Sequence, residues 1–130
     1  MQQVGRHLIV ELWGCDVIAM CSRDTVKEAI ARTITACGAT LLDLRVYPSA
    51  SSGMNGVAIL AESHVMVQTW PAHGYIAVDI FTCGQHTDPN LAVPVLRQFF
   101  APEQIQVFEL NRGVIEGNDF PATDAVACFA

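Results

Sequence analysis

The sequence predicts an α+β fold, a two-layer α/β sandwich in which a largely antiparallel sheet carries helices on one face. Strand-like segments in which apolar and polar residues alternate predict the sheet, because one face of such a sheet is buried. Two helical segments, one in each half of the chain, predict the second layer. With 130 residues, 14.1 kDa and no linker, the chain is expected to form one domain over 1–130 that ends in a loosely held tail over 114–130.

The first strand and the first helix have clear start and stop signals. Residues 6–13 predict a half-buried strand that ends at Gly14. Ser22 can cap a helix that runs to about Cys37, and Gly38 can close it. The apolar stripe of this helix consists of Val26, Ala29, Ile30, Thr33 and Ile34.

Five more strands and a second helix follow. The strands are predicted at 40–47, 56–62, 65–70, 75–83 and 104–110. Residues 48–55 hold three serines, a proline and a glycine, and therefore predict a flexible loop. Asp88 and Pro89 are typical of a helix start, and this helix should run to about Phe100. Pro94 lies inside it and should kink or shorten it.

Composition and charge narrow the range of partners. The net charge is −6 and there is no run of Lys or Arg, which argues against nucleic acid. No stretch approaches the ~20 apolar residues of a membrane span, so no membrane partner is expected. The cysteines form no C-x-x-C pair, which favours reduced thiols in a cytoplasm and predicts no metal site. They are Cys15, Cys21, Cys37, Cys83 and Cys128.

The segment Glu62-Ser63-His64 offers a serine with a carboxylate before it and a histidine after it. Most such serines lie in turns and do no chemistry. A hydrolase is disfavoured because Ala61 and Val65 occupy the glycine positions of G-x-S-x-G. The alternative is self-cleavage, in which Ser63 Oγ attacks the Glu62 carbonyl and β-elimination of the resulting ester leaves a pyruvoyl group. That group forms a Schiff base with a substrate amine and accepts the electrons of a decarboxylation.

Such a decarboxylation also needs an acid that returns a proton to the carbanion. Cys83, at the end of an apolar strand, suits this role, although a lone cysteine there is more often a small buried hydrophobic residue. Among the histidines, His64 is the strongest candidate because it adjoins Ser63, but consecutive strand residues face opposite sides of a sheet. His86 lies in a turn and is expected to be exposed.

Several short motifs occur together along roughly the first 110 residues. They are Gly5-Arg6-His7-Leu8, Glu11-Leu12-Trp13-Gly14-Cys15-Asp16, Leu60-Ala61-Glu62-Ser63-His64, Thr69-Trp70-Pro71, Gly74-Tyr75, Ala77-Val78-Asp79, Phe81-Thr82-Cys83-Gly84 and Asp88-Pro89. In these motifs the chain resembles the short prokaryotic S-adenosylmethionine decarboxylase proenzymes. The resemblance implies cleavage between Glu62 and Ser63 into chains 1–62 and 63–130. It also implies a pyruvoyl cofactor made from Ser63 without a metal, Cys83 as proton donor, and a homodimer of cleaved protomers with active sites near the subunit interface.

Four positions depart from the family's pattern. Gln68 stands where a processing histidine is expected, and Asn55 replaces a serine that assists processing. Both can donate hydrogen bonds, but neither is a useful base near neutral pH. Ala72 and Ser49 stand where the family has a ribose-binding glutamate and an adenine-stacking phenylalanine. The candidate catalytic residues are therefore Ser63, Cys83, Glu62, His64, Gln68 and Asn55, and the candidate substrate-binding residues are Glu11, Tyr47 and Trp70.

Three functions follow from these residues. The first is a pyruvoyl-dependent decarboxylase of S-adenosylmethionine that serves polyamine (spermidine) synthesis. The second keeps the pyruvoyl chemistry but acts on arginine or ornithine, because two nucleoside contacts are missing and the chain is acidic. The third is an unprocessed, inactive homologue that acts as a binding partner, because Gln68 and Asn55 replace the processing residues.

Overall fold

Six strands form a single sheet in the computed structural model, which describes residues 2–115. In chain order they are β1 (Gln2–Trp13), β2 (Leu41–Pro48), β3 (Met54–Leu60), β4 (Ser63–Trp70), β5 (Tyr75–Thr82) and β6 (Gln104–Ile115). Their order across the sheet is β2-β3-β4-β5-β1-β6. Every neighbouring pair is antiparallel, as the alternating sequence pattern predicts.

The α-helices of the described chain lie on one face of this sheet. They are α1 (Val17–Cys21), α2 (Arg23–Cys37) and α3 (Ala92–Phe100). Helix α2 begins where predicted, because Ser22 Oγ accepts a hydrogen bond of 3.1 Å from the Thr25 N–H. It ends at Gly38, whose φ of 77° is left-handed. The predicted α+β sandwich is therefore confirmed.

The core lies between the helices and the alternate strand positions that face them. Strands β1 and β5 contribute Leu8, Val10, Leu12, Ile76, Val78 and Ile80, and each of these side chains is at most 1% exposed. The predicted apolar stripe of α2 is buried against them. Gly56 leaves room for the α2 side chain of Ile30, because a Cβ at Gly56 would overlap Ile30 Cδ1.

The opposite face of the sheet has no helix packed on it among residues 2–115, and we call it the open face. Cross-strand pairing and strand alternation assign its residues. Most of them are half-buried or exposed. They include His7, Glu11, Trp13, Tyr47, Asn55, Ile59, His64, Met66, Gln68, Trp70, Tyr75, Asp79, Phe81, Phe108 and Leu110.

Several element boundaries differ from the sequence prediction. Helix α1 was not predicted because it has only five residues, although Asp16 caps it by accepting a hydrogen bond from the Ile18 N–H. The second helix is a 3-10 turn, Pro89–Leu91, followed by α3. The α-helix is therefore shorter than predicted, and Pro94 lies in its first turn, where its missing N–H has no intrahelical partner.

The last strand also extends further than predicted. Strand β6 continues to Ile115 and pairs with β1 along its whole length, so residues 114 and 115, expected in the tail, belong to the sheet. The rest of the predicted tail, 116–130, lies outside the described residues. None of the described helices is long and apolar enough to cross a membrane.

Candidate functional site

Ser63 is the first residue of β4 and follows a tight connection from β3 through Ala61 and Glu62. Its φ is 144°, a value that residues with a side chain rarely adopt and that costs about 1–3 kcal/mol. The strand pairs on both sides maintain this backbone, because Ser63 pairs with Leu60 of β3 and with Thr82 of β5. The peptide bond expected to break therefore ends at a strained residue inside a sheet.

His64 lies beside the Ser63 hydroxyl in spite of strand alternation. Ser63 Oγ and His64 Nδ1 are 3.0 Å apart, so the hydroxyl can donate to Nδ1 when the imidazole proton is on Nε2. The expectation that consecutive strand residues point apart is wrong here, because the positive φ of Ser63 distorts the start of the strand. The His64 ring is fixed by an edge-to-face contact with Phe81, with ring centroids 5.8 Å apart.

The carbonyl of the same peptide bond already has a hydrogen-bond donor. The backbone N–H of Cys83 donates to the Glu62 carbonyl oxygen over 3.0 Å. A donor at this oxygen stabilises the negative charge that develops on it when the carbonyl carbon is attacked. The sequence motif could not reveal this contact, because a backbone group makes it.

The Glu62 side chain is buried, with 8% of the residue exposed, and both of its carboxylate oxygens have hydrogen-bond partners. Its Oε1 accepts from the Thr40 N–H over 2.8 Å, and its Oε2 accepts from Thr40 Oγ1 over 3.2 Å. His86 Nε2 lies 2.7 Å from the same Oε2. The hydrogen bond with His86, followed by the one from the Thr40 backbone, lowers the pKa of Glu62 to about 2. The prediction of an exposed His86 is confirmed, but its contact with Glu62 was not foreseen.

Cys83 directly follows β5 and is half-buried. The turn after it contains Gly84, with a left-handed φ of 90°. Thr87 Oγ1 closes this turn by donating to the carbonyl oxygens of Cys83 and Gly84, each over 3.1 Å. Cys83 also lines a cleft of about 540 Å³, together with Arg6 and Gln85.

Gln68 and Asn55 lie far from Ser63 within the same chain. They face each other as a cross-strand pair of β3 and β4 on the open face. Gln68 is five residues along β4 from Ser63, which corresponds to about 17 Å at the usual rise of a strand. The structure therefore does not bring these two predicted processing residues to the 62–63 peptide of their own chain.

The candidate substrate-binding residues gather at the far end of the open face. Trp70 stacks on Tyr75 with ring centroids 5.4 Å apart, and Tyr75 stacks on Trp13 at 4.3 Å. Burial, and then the neighbouring Glu11 carboxylate, raise the pKa of Tyr75 to about 12. Tyr47 is exposed on the open face near the edge of the sheet. Trp70 is seven residues from Ser63 along β4, about 23 Å at the usual rise.

Among residues 2–115, no group of three or more His, Cys, Asp and Glu side chains is placed to hold a metal ion. The groups that surround the 62–63 peptide are instead a hydroxyl, an imidazole and a backbone N–H. These groups suit an acyl transfer within the chain.

The comparisons with known proteins point to one family. Residues 6–113 match the family model described as S-adenosylmethionine decarboxylase. The S-adenosylmethionine decarboxylase proenzyme of Thermomicrobium roseum is 51% identical over 116 residues, which cover 88% of this chain and 98% of that protein. The proenzyme of the same name from Methanococcus vannielii is 40% identical over 116 residues, 89% of this chain and 95% of that protein.

A solved structure shares the fold. The crystal structure of the adenosylmethionine decarboxylase from Aquifex aeolicus superimposes with a TM-score of 0.82 at 26% identity. The match covers 93% of this chain and 100% of that chain.

Proposed function

The chain belongs to the S-adenosylmethionine decarboxylase family, and we propose that it is a proenzyme that cleaves its own backbone between Glu62 and Ser63. Cleavage would convert Ser63 into a pyruvoyl group and leave chains 1–62 and 63–130. The mature enzyme would decarboxylate S-adenosylmethionine and so supply decarboxylated S-adenosylmethionine for spermidine synthesis.

The arrangement around the 62–63 peptide carries this proposal. Ser63 Oγ has a base within 3.0 Å in His64, and the Glu62 carbonyl oxygen accepts the Cys83 N–H at 3.0 Å. The positive φ of Ser63 adds strain that bond cleavage would relieve. A nucleophile, a base and a carbonyl donor therefore meet at the peptide that the family relationship marks for cleavage.

The first step is an acyl shift from nitrogen to oxygen. Ser63 Oγ bonds to the Glu62 carbonyl carbon while His64 Nδ1 takes the hydroxyl proton. The carbon–nitrogen bond then breaks, the proton passes to the released nitrogen, and an ester joins Glu62 to Ser63. The Cys83 N–H stabilises the oxygen that carries negative charge between these two events.

The second step breaks the chain. A base removes the Cα proton of residue 63, the Cβ–O bond breaks with its electron pair on oxygen, and Glu62 leaves as a carboxylate. Water then displaces the nitrogen of the dehydroalanine as ammonia, and the new chain end is a pyruvoyl group. The residues present fit this product, because Ser63 Oγ, His64 Nδ1 and the Cys83 N–H all lie at the 62–63 peptide.

A pyruvoyl group supplies a carbonyl that condenses with a substrate amine and accepts the electrons released when carbon dioxide leaves. Cys83 follows Thr82, the cross-strand partner of Ser63, and its backbone N–H bonds to the Glu62 carbonyl oxygen, so Cys83 is adjacent to the residue that would carry this group. We assign to Cys83 the return of a proton to the carbon that has lost carbon dioxide. The adjoining cleft of about 540 Å³ is large enough for a small-molecule substrate.

A homodimer is part of the proposal. Asn55, Gln68 and Trp70 lie on the open face, at a distance from Ser63 that no side chain spans. A second copy packed against the open face would bring these residues to the partner's cleavage site. The apolar side chains of this face support such packing, because Ile59, Met66, Trp70, Phe108 and Leu110 are each at least 36% exposed.

Release of labelled carbon dioxide tests the substrate. We expect turnover of S-adenosylmethionine by the purified protein, and no turnover by the Ser63→Ala variant, which lacks the nucleophile. Arginine and ornithine are assayed side by side, because Ala72 and Ser49 remove two nucleoside contacts. Turnover of either amino acid in place of S-adenosylmethionine would contradict the proposed substrate. A cleaved protein that is inactive on all three compounds would contradict the proposed decarboxylase activity.

A further inference from the structure

We propose that His86 is a positioning residue for self-cleavage: through the Glu62 carboxylate it fixes the acyl half of the 62–63 peptide against the Cys83 N–H. This inference rests on the proposed self-cleavage and assigns a new residue to it.

Two residues, Thr40 and His86, form hydrogen bonds with the Glu62 carboxylate. Thr40, which precedes β2, donates its backbone N–H and its hydroxyl to the two carboxylate oxygens. His86 Nε2 also contacts Oε2, over 2.7 Å, the shortest of the three contacts. With both oxygens bonded and the residue 92% buried, the side chain has little freedom to rotate. Its backbone carbonyl is therefore confined as well, since Cα joins the two groups.

A single turn acts on both ends of Glu62. Residues 83–87 contain Cys83, whose N–H bonds to the Glu62 carbonyl oxygen, and His86, whose ring bonds to the Glu62 side chain. The Thr87 hydroxyl closes this turn, because its one proton is shared between the carbonyl oxygens of Cys83 and Gly84. The turn is attached to α2 by the Asp88 N–H, which donates to the Cys37 carbonyl oxygen over 3.0 Å. Loss of the His86 contact would therefore loosen the alignment between the carbonyl and its donor.

Gly84 gives His86 the room to make this contact. A Cβ on Gly84 would lie 2.8 Å from the His86 Cε1 and 2.9 Å from its Nδ1, closer than atoms can pack. The imidazole therefore lies against the backbone of Gly84 and cannot keep this place beside a larger residue. The His86 side chain is 60% exposed, so burial of its ring does not explain its position. The bond to Glu62 does.

The variants His86→Ala and His86→Gln separate the donated hydrogen bond from the ring. Glutamine places an amide N–H close to the position of Nε2, whereas alanine leaves Oε2 without this partner. His73→Ala is the matched control, because His73 is an exposed histidine in a short turn at the other end of β4 and β5. Each proenzyme is made in a short pulse of cell-free translation, and its cleavage is followed by intact mass.

We expect His86→Ala to slow cleavage about tenfold or more, His86→Gln to recover most of the rate, and His73→Ala to match the wild type. Hydroxylamine adds a second readout, because it cleaves an ester but leaves a peptide bond intact. Uncleaved His86→Ala chains should resist hydroxylamine, since the acyl shift itself is impaired.

Wild-type rates in His86→Ala would overturn the role of His86, and so would equal slowing in His86→Ala and His86→Gln. Chains that hydroxylamine cleaves would also overturn it, because the defect would then follow ester formation. Near-ultraviolet circular dichroism shows whether His86→Ala folds. If it does not, the cleavage rate of His86→Gln decides alone. Cleavage of His86→Gln near the wild-type rate supports the role of His86, and slow cleavage of folded His86→Gln contradicts it. A wild-type chain that stays uncleaved would instead contradict the proposed self-cleavage, and the role of His86 would fall with it.

Discussion

The strain at Ser63 can be measured with two variants that cannot cleave themselves. Ser63→Ala and Ser63→Gly both lack the nucleophile, so both remain whole chains. The φ of 144° costs a residue with a Cβ about 1–3 kcal/mol, and glycine avoids this cost. Glycine also loses about 0.5–1 kcal/mol through the greater entropy of its unfolded chain. The difference leaves Ser63→Gly more stable than Ser63→Ala by about 0–2.5 kcal/mol, with about 1 kcal/mol at the centre of the range.

Chemical unfolding at equal protein concentration measures this difference, and the central value corresponds to a rise of about 4 °C in the melting temperature. The matched control is Met66, an exposed residue of the same strand whose φ is not positive. In the Ser63→Ala background, Met66→Gly should be less stable than Met66→Ala, which reverses the order found at residue 63. If Ser63→Ala is as stable as Ser63→Gly or more so, the backbone at this peptide is not strained.

Three other changes test the site and its support. In the Ser63→Ala background, Glu62 has a folded pKa of about 2 against a usual 4.5, so its stabilisation is complete above about pH 4.5 and is lost as the pH falls toward 2. Urea titrations across that pH interval should show a smaller loss of unfolding free energy for Glu62→Gln than for the chain with Glu62. Equal losses would contradict the hydrogen bonds assigned to this carboxylate. Cys83→Ala retains the backbone N–H and should therefore still cleave itself, while its decarboxylation rate falls by about a hundredfold or more. Loss of both activities would contradict the assignment of cleavage to the N–H and of proton return to the thiol. Gly56→Val should cost about 1–3 kcal/mol in urea unfolding because its side chain would overlap Ile30, and an unchanged midpoint would show that α2 can move away.

The strands and the long helix could be predicted because their signals are local. Ser22 and Gly38 mark the two ends of α2 by hydrogen bonding and by a left-handed φ, and both effects act within a few residues. Helix α1 has five residues, too few for a periodic pattern, and its cap at Asp16 has no apolar stripe to accompany it. The extension of β6 to Ile115 depends on pairing with β1, about a hundred residues earlier in the chain, which no local pattern records.

The candidate site was predictable to the extent that its residues are adjacent in sequence. Ser63 and His64 form one motif, and the structure brings their side chains together. His86 and the Cys83 N–H reach Glu62 only through the fold, because the turn after β5 lies beside the connection between β3 and β4. One of these groups belongs to the backbone, and the other is a histidine in a turn. Neither has a pattern that sequence reasoning could use.

Gln68 and Asn55 show the opposite limitation. Their identities indicate processing residues through the family resemblance, but their strand register places them about 17 Å from Ser63 at the usual rise of a strand. Whether a residue acts on its own chain or on a second copy is not encoded in its type. The register of β3 and β4 shows that these residues lie away from Ser63 of their own chain, and the proposed homodimer would account for that separation.

The intact mass of the purified protein under denaturing conditions tests self-cleavage most directly. We expect two chains, one ending at Glu62 and one that starts at residue 63 with a pyruvoyl group in place of serine. A single chain of 14.1 kDa would contradict it, because the hydroxyl, the imidazole and the Cys83 N–H at this peptide would then not suffice for cleavage.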